Sequence, residues 1–415
     1  MKIGFFTETY LPHLNGVSVS LANAKEELEK AGHEVYIFAP KLPGYRETDK
    51  TIIRLSSLRV LSAGHEQRIV VPVPNETFRR MLMVKLDLVH AHGGGFFSFL
   101  GYQLALTKGY PFVLTYHAFL KHYTHYFLKG KLVNPKVVET GSKLFCNQAD
   151  IVIVPSNKMK KELAGYGVVK PIEVVPNAID LASFVSLKKG YLRRKLDLGE
   201  KQSILLSVGR LGKEKNFDFL LRAFKEVTKK NRSCVLVLVG DGSEKAALER
   251  LAAELKIAER VVFAGFIEKE DMPAVYYDAD IFLFASKSET QGMVVPEAAA
   301  AALPLVLVED SAFEGAIEDG KNGFATAPDE KAFAQKVLQL VEDPVLRAKF
   351  GAASKELVNK NFATEKIISD LVRVYEKART IRKNTPRLSN KIQGRVKDIV
   401  GLFKAVREFN RILNE

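Results

Sequence analysis

An α/β protein with two parallel sheets is the fold class this sequence predicts, and three observations predict it. Apolar runs of strand length alternate with helical patterns along the chain, the pattern of helices packed on parallel strands. The alternation restarts at Ser203-Ile204-Leu205-Leu206-Ser207-Val208-Gly209 after a polar, Lys-rich stretch, Ser186 to Lys201. A strand–loop–helix junction spans the run Ile281 to Ala285, the segment Ser288 to Glu297 and the alanine-rich run Ala298 to Ala302. Pro296 suits a first helical position and Glu297 a first turn.

Taken in order, the first half carries strands near 2–6, 34–39, 87–91, 111–115, 150–155 and 172–176. The second half carries strands near 203–209, 233–239, 260–264, 280–285 and 304–308, then helices at 329–342 and 345–359. A last helical pair, near 363–383 and 387–413, is separated by Asn384-Thr385-Pro386. The boundary falls between Pro176 and Lys201, which gives an N-terminal domain of residues 1–185, a C-terminal domain of 186–375 and a tail of 376–415.

At 415 residues there is chain enough for two cores. Cys146 and Cys234 stand far apart in mixed or apolar runs. They read as buried thiols in a reducing compartment, not as a disulfide framework or a metal site. The first residues read as a strand with no export signal, and no apolar run reaches membrane-spanning length. The net charge is +14. Residues 376–415 hold eleven Lys and Arg against four Asp and Glu, a net of +7 that is half of the excess. Such a balance suits an anionic membrane, an acidic ligand or nucleic acid. No motif that reads RNA or DNA is present, which removes the last.

Glu289 and Glu297 lie eight positions apart at the strand-to-helix junction. That junction is the C-terminal end of a parallel strand, where α/β sheets bind ligands. Two carboxylates there can accept hydrogen bonds from several hydroxyls, as a sugar or ribose requires. Spacing alone is weak evidence, but the segment resembles the E-x7-E signature of the retaining glycosyltransferases of family 4. The resemblance covers residues 1–375 and implies the GT-B architecture, two Rossmann-like domains facing a cleft.

Further loops match the same family. The first strand runs into Thr7 to Val17, where Gly16 precedes a helix and resembles the glycine that lies against the donor diphosphate; a glycine lets phosphate approach free N–H groups. His117, after the strand Pro111 to Thr115, matches the histidine that contacts the donor sugar. Neighbouring His122 and His125 have no carboxylate or cysteine between them and read as no metal site. Arg210 and Lys215, after the first strand of the second half, resemble the cations that hold the diphosphate. A nucleotide leaving group departs with negative charge, and fixed cations bind that transition state better than the ground state. Asn216 reads as a helix N-cap. Val239-Gly240-Asp241-Gly242 reads as a structural turn. Asp278-Ala279-Asp280 spells D-x-D but precedes a strand, so it reads as a decoy. The family's usual glycine near position 302 is Ala302 here, an exchange expected to be tolerated if the residue is helical.

The resemblance implies a nucleotide-sugar-dependent, retaining hexosyltransferase with UDP-glucose as donor. Glu289 and His117 would hold the sugar, with Arg210 and Lys215 on the diphosphate and Glu297 on the ribose; Gly16, Gln291, Gly292, Met293 and Val294 would line the site. No metal is required, at most a non-essential Mg2+, and the leaving phosphate itself would assist deprotonation of the acceptor. The wording around Thr115-Tyr116-His117 and Glu289-Thr290-Gln291-Gly292 looks most like the diacylglycerol α-glucosyltransferases. That implies a lipid acceptor and a cytoplasmic enzyme peripheral on the inner face of the plasma membrane. Candidate membrane-facing segments are Asn75 to Lys85, with Phe78, Met81, Leu82 and Lys85 at helical spacing, the aromatic and basic run Phe119 to Lys131, and the tail stripe that includes Phe403 and Phe409. The alternative is a family 4 transferase acting on a soluble or polyprenyl-linked sugar acceptor.

Overall fold

The computed structural model describes residues 1–13, 16–62, 65–70, 75–117, 135–185 and 187–385. The run 119–131, with His122 and His125, lies outside these residues, as does the chain beyond 385. The described chain forms two compact units. One comprises residues 1–154, 162–173 and 371–385, the other 155–161 and 174–370.

The N-terminal unit holds strands β1 (Lys2–Thr7), β2 (Glu34–Pro40), β3 (Ile52–Leu55), β4 (Ser57–Ser62), β5 (His65–Val70), β6 (Leu88–His92), β7 (Phe112–Thr115), β8 (Ile151–Val154) and β9 (Ile172–Val174). Seven of them form one sheet in the order β3-β2-β1-β6-β7-β8-β9, and β4 and β5 pair as a separate antiparallel hairpin. β3, β4 and β5 are absent from the sequence reading. β3 escapes because Arg54 interrupts a four-residue run; its side chain is buried by pairing with Glu47.

The C-terminal unit holds β10 (Ser203–Val208), β11 (Cys234–Val239), β12 (Val261–Gly265), β13 (Ile281–Phe284), β14 (Leu305–Val308) and β15 (Gly323–Thr326), all parallel in the order β12-β11-β10-β13-β14-β15. Successive side chains of a strand face opposite sides of the sheet. Leu205, Leu236 and Leu283 therefore enter one core under the helices Phe217–Lys230 and Glu330–Glu342. Ile204, Leu206, Phe282 and Phe284 enter the other, under the helices Met272–Asp278 and Val294–Ala300. Both faces are covered, which is why these strands read as unbroken apolar runs.

In each sheet the first strand of the unit lies inside, and the chain runs outward from it in both directions. The order reverses between β1 and β6 and again between β10 and β13. Crevices at the carboxyl ends of such strand pairs are where open α/β sheets bind ligands.

Two local expectations need correcting. Ala302 is not helical: its φ is +58°. Leu303 N–H donates to Ala298 O and Ala302 N–H to Ala299 O. These two bonds close the helix C-terminus in the manner that favours glycine at this position. Asn216 does stand at the start of Phe217–Lys230, but with φ +59° and without a side-chain cap. Its amide donates instead to Ala285 O at 3.1 Å. The D-x-D carboxylates serve the backbone: Asp278 accepts from Gly190 and Leu192 N–H at 2.6 Å each, and Asp280 from Ile204 N–H at 2.8 Å.

Candidate active site

At the reversal of the C-terminal sheet, the loops after β10 and β13 are stitched together. Asn216 ties the start of its helix to Ala285, and Lys287 N–H donates to Glu214 O at 3.2 Å. This register brings Lys215 Nζ to Glu289 Oε1 at 2.5 Å, with both side chains largely buried. Arg210, half-exposed, donates to Glu214 at 2.6 Å. Two cations thus sit at one strand end, Arg210 held by a carboxylate of its own loop and Lys215 by one from the loop after β13. Their supporting turn is the Gly240-Asp241-Gly242 segment. A Cβ on Gly240 would lie 2.1 Å from Gly209 O, so only glycine lets this turn pack beneath the Arg210 loop.

The loop after β13 is equally constrained. Gly292 has φ +67°, and a Cβ there would lie 2.6 Å from the Phe313 ring. Gln291 is buried, and its side-chain oxygen accepts from Asn177 N–H and from the Asn177 amide at 2.8 and 2.7 Å. Its amide nitrogen donates to Asn177 O at 3.1 Å. That side chain therefore braces the loop, and its backbone is what it can offer a ligand. Met293 and Val294 are partly buried at the start of the helix Val294–Ala300. In the first turn, Glu297 accepts a hydrogen bond from Tyr276 OH at 2.8 Å. Burial raises the Glu297 carboxyl above its ordinary value, with Tyr276 pulling the other way. Among the described residues no second hydrogen bond reaches the Glu297 carboxyl group, so one of its oxygens remains for hydroxyls.

At the reversal of the N-terminal sheet the chemistry differs. Glu8, just past β1, accepts N–H bonds from Phe97 and Ser98 at 3.0 and 3.2 Å, at the start of the helix Phe96–Lys108. A Cβ on Gly95 would lie 2.5 Å from the Glu8 carboxyl, so the Gly93-Gly94-Gly95 run admits this side chain. Burial pushes Glu8 up to about 7 against the pull of the two N–H groups. His117 lies just after β7; its Nε2 is 3.2 Å from His92 Nδ1. Burial lowers His117 to about 4, so it is neutral at pH 7. Gly16, exposed, begins the helix Gly16–Lys30, and a Cβ there would meet nothing within 4 Å.

Each unit thus collects its own predicted residues at one sheet edge: Gly16 and His117 in the first, Arg210, Lys215, Glu289, Gln291, Gly292, Met293, Val294 and Glu297 in the second. Glu8, His92 and Tyr276 were not singled out from sequence. A signal for His92 was present, since His90-Ala91-His92 has the period that puts both rings on one face of a strand.

The family descriptions "Glycosyltransferase Family 4" and "Glycosyl transferases group 1" match residues 14–183 and 189–357. An alpha-monoglucosyldiacylglycerol synthase of Acholeplasma laidlawii is 30% identical over 407 residues, covering 94% of this chain and 100% of that protein. The chain belongs to the family 4 glycosyltransferases. A second such synthase, from Streptococcus pneumoniae, is 33% identical over 344 residues, covering 79% of this chain and 77% of that protein. The GT-B fold is shown by solved structures. A sucrose-phosphate synthase from Thermosynechococcus elongatus superposes with a TM-score of 0.70 at 21% identity, covering 91% of this chain and 98% of that one. Anabaena HepE in complex with UDP superposes with a TM-score of 0.69 at 18% identity, covering 91% of this chain and 100% of that one. This family 4 member is therefore a glycosyltransferase.

Proposed function

We propose that this glycosyltransferase moves glucose from UDP-glucose to a lipid hydroxyl, with diacylglycerol as acceptor and with retention at the anomeric carbon. The observation that carries the reading is the Lys215–Glu289 contact beside Arg210 at the β10/β13 reversal. A diphosphate arriving there would draw both cations toward itself. Arg210 can grip two phosphate oxygens, and Lys215 serves as a point charge. Glu289, relieved of its lysine, would accept from sugar hydroxyls, and the open oxygen of Glu297 from the ribose. Residues 186–375 would bind the donor and residues 1–185 the acceptor, with Gly16 against the diphosphate and His117 on the sugar. As bond cleavage loads charge onto the diphosphate, Arg210 and Lys215 stabilise it without a metal. The leaving phosphate takes the acceptor's proton.

The membrane reading is supported by the helix Glu76–Met83. Met81 packs in the core, which removes it from the stripe read from sequence, while Leu82 and Met83 are 41% and 70% exposed beside exposed Arg79 and Arg80. Apolar tips flanked by arginines suit the surface of an anionic leaflet, the inner face of the plasma membrane in this reading. Among the described residues no helix is long and apolar enough to cross a membrane.

The test is UDP release from UDP-glucose, with and without liposomes containing diacylglycerol, and the product's anomeric configuration read by NMR. Release stimulated by liposomes and an α-glucoside product support the reading. Release unaffected by liposomes, with turnover on a soluble or polyprenyl-linked sugar, moves the acceptor to the other family 4 class.

A further inference from the structure

His92 and His117 share one hydrogen bond across 3.2 Å, between His92 Nδ1 and His117 Nε2, and their rings stack at 22° with centroids 5.5 Å apart. His92 is buried, with its ring against Phe5 and His90 at centroid distances of 4.8 and 3.9 Å. Among the described residues, its Nε2 is buried without a hydrogen-bond partner. Its neighbour His90 is satisfied at both nitrogens, by Tyr375 OH at 2.8 Å and Thr115 Oγ1 at 2.6 Å.

A neutral imidazole carries one N–H and one bare nitrogen. Two proton arrangements fit the shared bond. If His117 donates from Nε2, His92 must carry its own proton on Nε2, as a buried N–H with no acceptor. If His92 donates from Nδ1, its Nε2 is a bare nitrogen instead. Orphaned buried N–H groups are rarer than under-satisfied acceptors, and desolvating a donor without a partner is costly.

We infer that His92 is a positioning residue: it donates Nδ1–H to His117 Nε2 and so holds His117 in the tautomer protonated on Nδ1. His117 then has one group to offer a ligand, an N–H donor. It can donate to a sugar oxygen but has no open nitrogen with which to accept a hydroxyl proton. This rests on the proposed role of His117 at the sugar. It deepens that reading by making the residue a hydrogen-bond donor and leaving proton removal to the departing phosphate.

The test is a long-range 1H–15N correlation spectrum of the full-length wild-type protein at neutral pH, with His117 assigned through His117→Ala. The expected result is His117 protonated on Nδ1. The His92→Phe variant keeps a ring against Phe5 and removes the donor; His117 should then show the other tautomer or a mixture of the two. In UDP-glucose turnover the same variant should lose about tenfold in kcat with little change in KM for the donor, the scale of one hydrogen bond. His92→Asn, which restores an N–H near the lost one, should recover part of both. A wild-type His117 protonated on Nε2, or a tautomer unchanged in His92→Phe, overturns the inference, and the wild-type spectrum decides even if the variant fails to fold. An Nδ1-protonated His117 together with unimpaired turnover in His117→Ala would instead sink the sugar-contact reading and leave the tautomer assignment standing.

Discussion

The two sheets of this glycosyltransferase reverse their strand order in the same way and finish the reversal with opposite chemistry. At the β10/β13 edge stand Arg210 and Lys215, each paired with a carboxylate at 2.6 and 2.5 Å. At the N-terminal reversal stand three neutral histidines, His90 and His92 buried and His117 partly so, and a helix N-terminus already filled by Glu8. A glycine run before a helix is commonly an anion cradle. Here the helix start after the Gly93-Gly94-Gly95 run is already occupied by the Glu8 carboxyl. The lesson is that topology marks where a ligand can bind, while the charge left open there determines which ligand. The C-terminal edge suits a diphosphate; the N-terminal helix start is closed to one.

The comparison can be broken most sharply at the ion pair. Lys215→Ala should lower turnover by about a hundred- to a thousandfold, the range found when a donor to developing transition-state charge is removed. Glu289→Ala should lose activity as well, since it strips the sugar's acceptor and leaves a buried ammonium unpaired. Steady-state UDP release measures both, and turnover intact in either variant removes the site assignment. Arg210→Ala should cost less, about tenfold to a hundredfold, because its side chain is half-exposed and solvent screens its charge there.

The N-terminal edge makes a prediction in pH. Burial lowers His117 to about 4 and takes His90 and His92 down as well, whereas an unfolded histidine titrates near 6.5. Between about 6.5 and 4 the unfolded chain binds more protons, so these groups withdraw stability as pH falls. Glu8 acts oppositely. Its folded value is about 7 against an ordinary 4.5, so its ionisation withdraws stability as pH rises through that window. Urea denaturation of wild type and Glu8→Gln at several pH values tests this. The stability of the variant relative to wild type should improve steadily from pH 4.5 to 7; a flat difference contradicts the buried carboxyl.

The smallest effect is expected at Ala302, where a Cβ sits at φ +58°. Ala302→Gly should raise stability by about 1 kcal/mol with activity unchanged, because glycine adopts the left-handed conformation without steric cost. A loss of stability in thermal denaturation would mean that the alanine makes compensating contacts.

Much of this was legible before the structure. Strands covered on both faces are long apolar words, so the central strands stand out in the sequence. Two of the edge strands do not: β3 hides behind the buried Arg54, and β15 is four residues beginning with glycine. Residues matched to strand ends were legible because the family pattern fixes both type and spacing. What was not legible depends on distant pairing. Nothing in the sequence links Gln291 to Asn177, 114 positions away, or Glu8 to a helix start 89 positions on. The left-handed turn at Ala302 was missed for a different reason, since an alanine-rich run reads as helix to its end.

UDP binding by titration calorimetry bears most directly on the claim that the Arg210 and Lys215 cations of the C-terminal unit, and not the Glu8-filled helix start of the N-terminal unit, hold the diphosphate. Wild type and Glu8→Gln should bind UDP alike, while Lys215→Ala, verified as folded by circular dichroism, should bind it at least tenfold more weakly. Unchanged affinity in Lys215→Ala, or affinity lost in Glu8→Gln, would contradict the account.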